Sequence, residues 1–286
     1  SYIIELSDGS FIIYDGGYST TVNQLLDELK SLDEDGNVHV RAWVMTHAHD
    51  DHYGCFKTLA GRKGYFLSRH DLTMQLDYFL MAPINDQDTV NIDAGLDFYM
   101  NDVETCVQKF DGAKICYAHT GMTFRFGNMT MEILYTPEDL FVDGSTGYFN
   151  DSSIVSRLYS NRPESGETQS MIFLGDAGMD VANRLVQYYG DALYSDMCQI
   201  SHHGVENFPL SAYEVIAAPT LFYPCNNELY ARTDRDADVR AALRNSEVTK
   251  EILLRDNDTY VRYFDPSLNP APIGKPDATG KLEGEA

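Results

Sequence analysis

The sequence has no run of 18 apolar residues and few basic residues. Its 286 residues include 21 Lys and Arg against 44 Asp and Glu, which gives a formal net charge of −23. A chain with this charge repels polyanions, so long nucleic acid is a poor candidate substrate. The missing apolar run argues against a membrane-spanning helix. We therefore expect a small-molecule substrate, and assembly into a homo-oligomer stays open.

Cysteine is scarce, and no Cys-x-x-Cys pair is present. The number of cysteines is five, which is odd, and they are Cys55, Cys106, Cys116, Cys198 and Cys225. This pattern argues against a disulfide framework and favours a reducing compartment, so a cytoplasmic location is expected. The chain starts inside a strand-like run without an initiator Met. A signal peptide, an anchor or further domains could therefore have preceded it in the parent protein, which keeps an extracytoplasmic location open.

The sequence does contain a dense cluster of metal-binding side chains, directly after the apolar segment 41–45. Three histidines and two aspartates stand between His47 and His52. His47 and His49 are two residues apart, so an extended backbone projects both to the same side and they can share one ion. Asp51 and His52 would then face a second position beside it. Imidazole and carboxylate ligands favour zinc, with manganese or iron as alternatives. The alternative interpretation of the motif is a polar strand-to-helix turn whose histidines are only solvated.

Two later strand ends offer further ligands. The apolar segment 170–175 ends at Asp176, whose carboxylate could bridge two ions, and the segment 196–201 ends at His202 and His203. A Gly-Asp turn or a His-His-Gly loop is unremarkable by itself. Together with the first cluster, these residues predict a site for two divalent metal ions.

At this point the chain resembles the metallo-β-lactamase superfamily, whose His-x-His-x-Asp-His motif is present from His47 to His52. The resemblance implies that Asp15, at the end of the strand-like segment 11–15, supports the histidine loop by hydrogen bonding. It implies that Asp176 bridges the two ions and that one late histidine completes the second site. Spacing does not decide between His202 and His203, and His202 is favoured as the first residue after the strand. The implied ligands are His47, His49 and Asp176 for the first ion, and Asp51, His52, Asp176 and His202 for the second.

One family motif is missing. The superfamily usually supplies a third histidine to the first metal after the strand that here spans 129–135, and Thr136 stands in its place. Glu138, Asp139 or Asp151 in the following loop could compensate. The remaining histidines, His39, His70 and His119, lie elsewhere along the chain, and surface or packing roles are expected for them. The first metal site is therefore expected to be incomplete.

The residues around the motifs are similar to one branch, the hydrolase domain of the DNA-internalisation competence proteins (the ComEC-like branch). The similar segments are 150–155, 173–177 and 200–204. This resemblance implies cleavage of a phosphodiester or other small phosphoester. The predicted mechanism is metal-assisted hydrolysis with a metal-bound hydroxide as nucleophile and Asp51 and Asp176 as catalytic residues. Carboxylic ester, lactone or thioester hydrolysis is an alternative, and so is a non-catalytic metal-binding domain for sensing or assembly. Candidate substrate or supporting groups are Asn150, Asp151, Ser152, Ser153 and His203.

The element pattern predicts an α/β fold, a four-layer αββα sandwich with two sheets and outer helices. A hydrolase domain is expected over 1–266, with an insertion near 69–113 and a Pro/Gly-rich tail over 267–286. Strands are predicted at 2–6, 11–15, 39–46, 63–68, 114–118, 129–135, 153–159, 170–175, 196–201, 220–224, 251–255 and 259–264. Helices are predicted at 20–32, 52–60, 70–80, 95–110, 178–190, 210–217 and 235–246.

Overall fold

The computed structural model describes residues 1–82, 100–139, 149–161, 168–205, 207–254 and 259–282. The chain divides into two compact units. Unit 1 consists of residues 1–122, 126–128 and 136–154, and unit 2 of residues 123–125, 129–135 and 155–286. Each described unit is built around one β-sheet with helices, so the predicted α/β class is confirmed.

Unit 1 contains a five-stranded sheet in the order β1-β2-β3-β4-β5. Its strands are β1 (Tyr2–Glu5), β2 (Phe11–Tyr14), β3 (Asn37–Val44), β4 (Thr73–Met81) and β5 (Lys114–Tyr117). The β1–β2 pair is antiparallel, and the other pairs are parallel. Its helices are α1 (Val22–Leu32), α2 (Asp50–Gly61), α3 (Lys63–Arg69) and α4 (Met100–Val107). Parallel neighbours need crossover connections, and helices α1 to α4 lie in them.

Aromatic packing between α2 and the sheet organises the core of unit 1. Phe56 of α2 contacts Trp43 of β3, Phe79 of β4 and Phe110, with ring centroids 4.8, 4.5 and 5.6 Å apart. Each of these rings is almost fully buried, and aromatic pairs at these separations contribute about 0.5–1.5 kcal/mol beyond their burial. The contacts hold the middle of α2 against β3 and β4, and the histidine motif lies between the end of β3 and the start of α2.

Unit 2 contains a seven-stranded mixed sheet in the order β12-β11-β10-β9-β8-β7-β6. The strands are β6 (Thr123–Phe126), β7 (Met129–Tyr135), β8 (Val155–Ser160), β9 (Ser170–Phe173), β10 (Met197–Gln199), β11 (Thr220–Tyr223) and β12 (Glu251–Leu254). Strands β9 to β12 are parallel, whereas β7, β8 and β9 pair antiparallel. The helices are α5 (Met179–Tyr189), α6 (Leu210–Ile216), α7 (Asn227–Tyr230) and α8 (Ala237–Asn245). Since parallel strands end at the same sheet edge, the residues after β9 and β10 are neighbours.

Three of the predicted elements are wrong. The helix predicted at 70–80 is strand β4, which lies between β3 and β5, and the strand predicted at 63–68 is helix α3. Both segments are short, and in short runs the helical and strand periods are hard to distinguish. Residues 259–264 form no strand, because an alternating pattern needs a neighbouring strand edge to pair with. Strand β6 and helix α7 were not predicted.

The carboxyl-terminal segment is attached to β12. The Ile252 amide donates to the Gly274 carbonyl at 3.0 Å, and the Ile273 amide donates to Glu251 Oε2 at 3.1 Å. Glu251 also pairs with Arg262, and both side chains are at most 9% exposed. Residues 267–282 of the predicted tail therefore follow an ordered path. The domain boundaries and the insertion near 69–113 stay predictions, and residues 83–99 of that insertion lie outside the described ranges.

None of the helices in the described ranges combines the length and the apolarity that a bilayer crossing requires.

All five cysteines are free thiols, and four of them are buried. Burial raises the pKa of Cys55 to about 11 and that of Cys225 to about 12, from an ordinary value of 9.0. Burial also raises the pKa of Cys198. These thiols are therefore neutral at physiological pH and behave as small apolar side chains, including Cys55 and Cys198 beside the ligand motifs.

The raised thiol pKa values predict a loss of stability at alkaline pH. Between pH 9 and 11 the unfolded chain releases thiol protons that the folded chain keeps, so the free energy of unfolding falls as pH rises. Each such thiol contributes about 1.4 kcal/mol per pH unit in this interval. We expect the urea midpoint to fall between pH 8 and pH 10.5, and to fall less in Cys55→Ala. A midpoint that is constant over this interval would contradict the burial of these thiols.

Candidate metal centre

The histidine motif lies between the end of β3 and the start of α2. Thr46 and His47 are buried, His49 is half-buried, and α2 begins at Asp50. Asp50 and Asp51 occupy the first turn of the helix, where carboxylates interact favourably with the helix dipole. The strand end and the helix start thus hold the motif from both sides.

The first two histidines of the motif converge. Nε2 of His47 lies 2.9 Å from Nδ1 of His49, and the ring centroids are 4.7 Å apart. The ring of Phe149 lies beside His49 at 4.9 Å. Two imidazole nitrogens this close can both reach one ion of the size of zinc, whose bonds to histidine nitrogen measure about 2.0–2.1 Å.

Asp15 supports the third histidine of the motif. Its Oδ2 accepts a hydrogen bond from His52 Nδ1 at 2.8 Å, and its Oδ1 accepts from the Thr46 amide at 2.8 Å. The Thr46 hydroxyl donates to the same carboxylate. An ionised carboxylate only accepts, so in a neutral His52 ring the proton is on Nδ1 and the lone pair is on Nε2. This carboxylate–histidine contact is the arrangement that orients histidines in metal sites.

Asp51 and His52 form the second pair of potential ligands in unit 1. Nε2 of His52, the nitrogen that Asp15 leaves deprotonated, lies 3.8 Å from Oδ2 of Asp51. One imidazole nitrogen and one carboxylate oxygen at this separation can bind a common ion. Unit 1 therefore presents two ligand pairs, His47 with His49 and Asp51 with His52.

Unit 2 presents a third group of potential ligands. Oδ2 of the buried Asp176 lies 3.8 Å from Nε2 of His202 and 3.7 Å from Nε2 of His203. Nδ1 of His203 lies 2.9 Å from the carbonyl oxygen of Pro224, to which it donates a hydrogen bond. A carbonyl acceptor fixes the proton on Nδ1 and leaves Nε2 of His203 on the side of Asp176, so this contact favours His203 as a ligand.

The backbone of this late histidine loop is strained. His202, His203 and Gly204 have positive φ angles of 45°, 56° and 75°. The left-handed region is sparsely populated by residues other than glycine, and such strain often marks functional sites. A Cβ atom at Gly204 would lie 2.5 Å from Cε1 of Tyr223, so only glycine fits there. The sequence His-His-Gly thus provides both the imidazoles and the residue that the turn requires.

Gln199 holds the turn that carries Asp176, and the sequence did not reveal this role. Its Oε1 accepts from the amides of Leu174 and Gly175, both at 2.8 Å. Its Nε2 donates to the carbonyls of Gly175 at 3.0 Å and Ile200 at 2.6 Å. A polar residue in the short, fully buried strand β10 was the available signal. Thr46 and Phe149 were missed as well.

Thr136, at the place of the missing third histidine, is fully buried. Its hydroxyl accepts from the Thr120 amide at 3.2 Å, and its own amide donates to Thr120 Oγ1 at 2.9 Å. The side chain of Thr136 thus joins two segments of unit 1. Nearby, His119 pairs with Glu138 at 2.7 Å, and both side chains are exposed.

The other two histidines outside the motifs also have partners on their own unit. His39 Nε2 lies 3.0 Å from Asp77 Oδ2, and His70 lies between Asp27 and Asn23. These contacts fit the surface or packing roles expected for them.

The segment from Asn150 to Ser153 is buried and belongs to unit 1. Residues 149–152 form a 3-10 helix, and the Ile154 amide donates to the Thr46 carbonyl at 2.9 Å. This bond connects the segment to the histidine loop. The polar side chains of Asn150, Asp151, Ser152 and Ser153 are each at most 5% exposed. A substrate role for them stays a prediction.

The residues of these clusters fit divalent metal ions. The donors are imidazole nitrogens and carboxylate oxygens, and His47, His52 and Asp176 are almost completely buried. Burying such polar groups is costly unless they are hydrogen-bonded or hold an ion. This donor chemistry supports divalent metal binding, with zinc, manganese and iron all compatible.

The contact between Asp15 and His52 leads to a testable prediction. In Asp15→Asn the amide nitrogen can replace Oδ2 and donate to His52 Nδ1, which would move the imidazole proton to Nε2 and remove a ligand lone pair. We expect zinc affinity to fall about 10–100-fold, as for other residues that orient metal ligands. Asn also tolerates the positive φ of this position, so the fold should persist. Chelator competition measures the affinity, and an affinity equal to that of the wild type would refute this role.

Comparisons with known proteins agree with the motif. The family model described as "Metallo-beta-lactamase superfamily" matches residues 1–136. No curated protein sequence matches the chain. Its fold is similar to that of a Cronobacter sakazakii metallo-beta-lactamase with a HARLDQ motif, at 14% identity, TM-score 0.41 and 68% coverage of each chain.

Two further solved structures are similar to the chain at the same level. MEM-A1, a subclass B3 metallo-beta-lactamase from a soil metagenome library, has 14% identity and a TM-score of 0.44, covering 74% of this chain and 76% of its own. YhfI, a metallo-beta-lactamase fold protein from Bacillus subtilis, has 10% identity and a TM-score of 0.41, covering 76% and 75%. At these values the likeness carries no functional argument. The family model matches the first 136 residues, which contain the whole motif from His47 to His52, so this part of the chain is similar to the metallo-beta-lactamase superfamily.

Proposed function

We propose that the chain is a metal-dependent hydrolase and that its ligand clusters together bind two divalent ions. The proposed ligands are His47, His49, Asp51 and His52 of unit 1, and Asp176 with His203, in preference to His202, of unit 2. The observation that carries the proposal is the convergence of His47 and His49, whose ring nitrogens lie 2.9 Å apart in a largely buried loop. Hydrogen bonding alone gives no reason to bury His47 and His52, and to half-bury His49 and Asp51, in one loop.

Divalent ions bound there would supply Lewis-acid chemistry, polarising a substrate oxygen and lowering the pKa of water toward about 7. The protein residues contribute orientation and desolvation. Asp15 keeps the proton of His52 on Nδ1, Gln199 fixes the turn of Asp176, and the ring of Phe149 shields one side of His49. Ligands that are held rigidly in this way can stabilise a transition state in which charge develops at one fixed position.

We propose a small phosphodiester or phosphoester as substrate. The buried segment from Asn150 to Ser153, joined to the histidine loop, supports this choice through the resemblance to the competence-protein branch. The net charge of −23 argues for a small substrate over a polynucleotide. The odd number of free cysteines supports a cytoplasmic location.

The test is a substrate panel with the full chain loaded with zinc or manganese. The panel contains bis(p-nitrophenyl) phosphate, p-nitrophenyl phosphate, an acyl thioester and a lactone. Metal-dependent cleavage of a phosphoester that EDTA abolishes is the expected result. Cleavage of only the thioester or lactone would replace the phosphoester assignment with acyl hydrolysis. No turnover of any compound by a metal-loaded protein would favour a metal-binding domain without catalysis.

A further inference from the structure

Three consecutive residues with left-handed backbone need contacts that hold them in place. His202, His203 and Gly204 have positive φ angles. The Cβ atom of a histidine makes this backbone conformation unfavourable. Two backbone hydrogen bonds involve His202. The His202 amide donates to the Gly175 carbonyl, and the Val205 amide donates to the His202 carbonyl, both at 3.1 Å. Neither bond fixes the peptide that follows His203.

Arg240 of α8 provides that contact. Its side chain is 2% exposed, and Nη1 donates to the Gly204 carbonyl at 2.6 Å. The same guanidinium donates to the carbonyls of Arg235 and Arg232. A buried cation is costly unless its donors are satisfied, so a carbonyl that satisfies it is held firmly. The planar guanidinium can serve three acceptors in fixed directions, which the point charge of a lysine cannot do.

The other side of the loop is held by β11 and the residue after it. The ring of Tyr223 lies against Gly204, and the Pro224 carbonyl accepts from His203 Nδ1 at 2.9 Å. The loop is therefore fixed at its backbone by Arg240 and at its imidazole by Pro224. Loss of either contact frees the strained peptides to return to an ordinary conformation, which would move His203 Nε2 away from Asp176, now 3.7 Å distant.

We infer that Arg240 is a positioning residue for the metal centre: through the Gly204 carbonyl, it keeps His203 in the left-handed conformation that directs Nε2 toward Asp176. This inference rests on the proposed function. Arg240 touches neither Asp176 nor a reacting atom in this account, and acts only through the loop. It also gives the helix α8 a part in the site that the sequence does not suggest, because Arg240 is 36 residues beyond Gly204.

The test compares Arg240→Lys and Arg240→Gln with Arg244→Lys, a control one turn along the same helix. Each full-length chain is loaded with cobalt(II), the visible absorption spectrum is recorded, and zinc affinity is measured by chelator competition. We expect zinc affinity to fall about 10–100-fold in both Arg240 variants, with a changed cobalt spectrum, as for the loss of other residues that orient ligands. The control should match the wild type. If Arg240→Lys does not fold, Arg240→Gln, which keeps an N–H donor and removes the buried charge, carries the test.

A residue with only a structural role would give a different result. Both Arg240 variants would then have a lower urea midpoint in the metal-free state, while the folded protein kept the wild-type zinc affinity and cobalt spectrum. That outcome would overturn the inference and leave the proposed function intact. A wild-type chain that binds no cobalt or zinc would instead refute the proposed function.

Discussion

Replacing Asp51 with Asn is expected to reduce hydrolysis by more than about 100-fold, which exceeds the usual effect of losing a residue that only supports a ligand. The change keeps the size of the side chain but removes the carboxylate charge 3.8 Å from His52 Nε2. The amount of bound metal should fall by about one ion per chain. The far-ultraviolet circular dichroism should stay the same, because Asp51 is half-buried in the first turn of α2 and its backbone role is unaffected.

Asp50→Asn is the matched control for this experiment. Asp50 is adjacent, belongs to the same helical turn and loses the same charge, but it is exposed and stands at a variable position of the motif. Its activity and metal content should remain within about twofold of the wild type, as for surface substitutions in general. Equal losses in the two variants would show that negative charge at the helix start, rather than a specific ligand, is responsible, and would contradict the assignment of Asp51.

Replacing Gln199 with Met should have the largest effect on stability. The side chains are similar in size, but Met cannot make the four hydrogen bonds of Gln199, three to the backbone of residues 174 and 175 before Asp176 and one to the Ile200 carbonyl. Each buried backbone group left without a partner costs about 1–3 kcal/mol, so we expect a loss of about 3 kcal/mol or more. Urea unfolding with an unchanged m-value would measure this loss. Metal affinity should fall as well, since the Asp176 turn loses its support.

Gln75→Met, at an exposed position of β4, is the control for Gln199→Met. It should change stability by no more than about 0.5 kcal/mol. If Gln199→Met were as stable as this control, the amide network would contribute nothing to holding the turn. If it were unstable but bound metal as tightly as the wild type, Gln199 would support the sheet and not the site.

The parts of the site that could be predicted from sequence are those encoded by neighbouring residues. His47 and His49 are two positions apart after a strand, and this local geometry is sufficient to predict that their nitrogens converge. The α/β class followed from alternating apolar segments, and strand β7 was predicted with its observed bounds, 129–135. Asp15 could be identified only through the family resemblance, because an Asp-Gly pair after a strand usually forms a turn.

The parts that could not be predicted depend on contacts between distant residues. Gln199 and Arg240 act on backbone carbonyls and amides, and nothing in the sequence shows which backbone groups they will reach. Strand β4 was mistaken for a helix because its burial is decided by the neighbouring strands β3 and β5, and tertiary context overrides local propensity in such segments. The preference for His202 over His203 rested on chain order alone, and the Pro224 carbonyl is a contact that chain order does not indicate.

The central claim, a centre for two divalent ions, is tested most directly by the metal content of the wild-type chain. The protein would be purified without chelator or a metal-affinity step, analysed by plasma mass spectrometry, and analysed again after incubation with zinc or manganese and desalting. The account predicts close to two ions per chain in at least one of these samples. One ion or none, unchanged by incubation, would contradict the two-metal centre and show that Thr136, buried where the family usually has a histidine, does not leave a working first site.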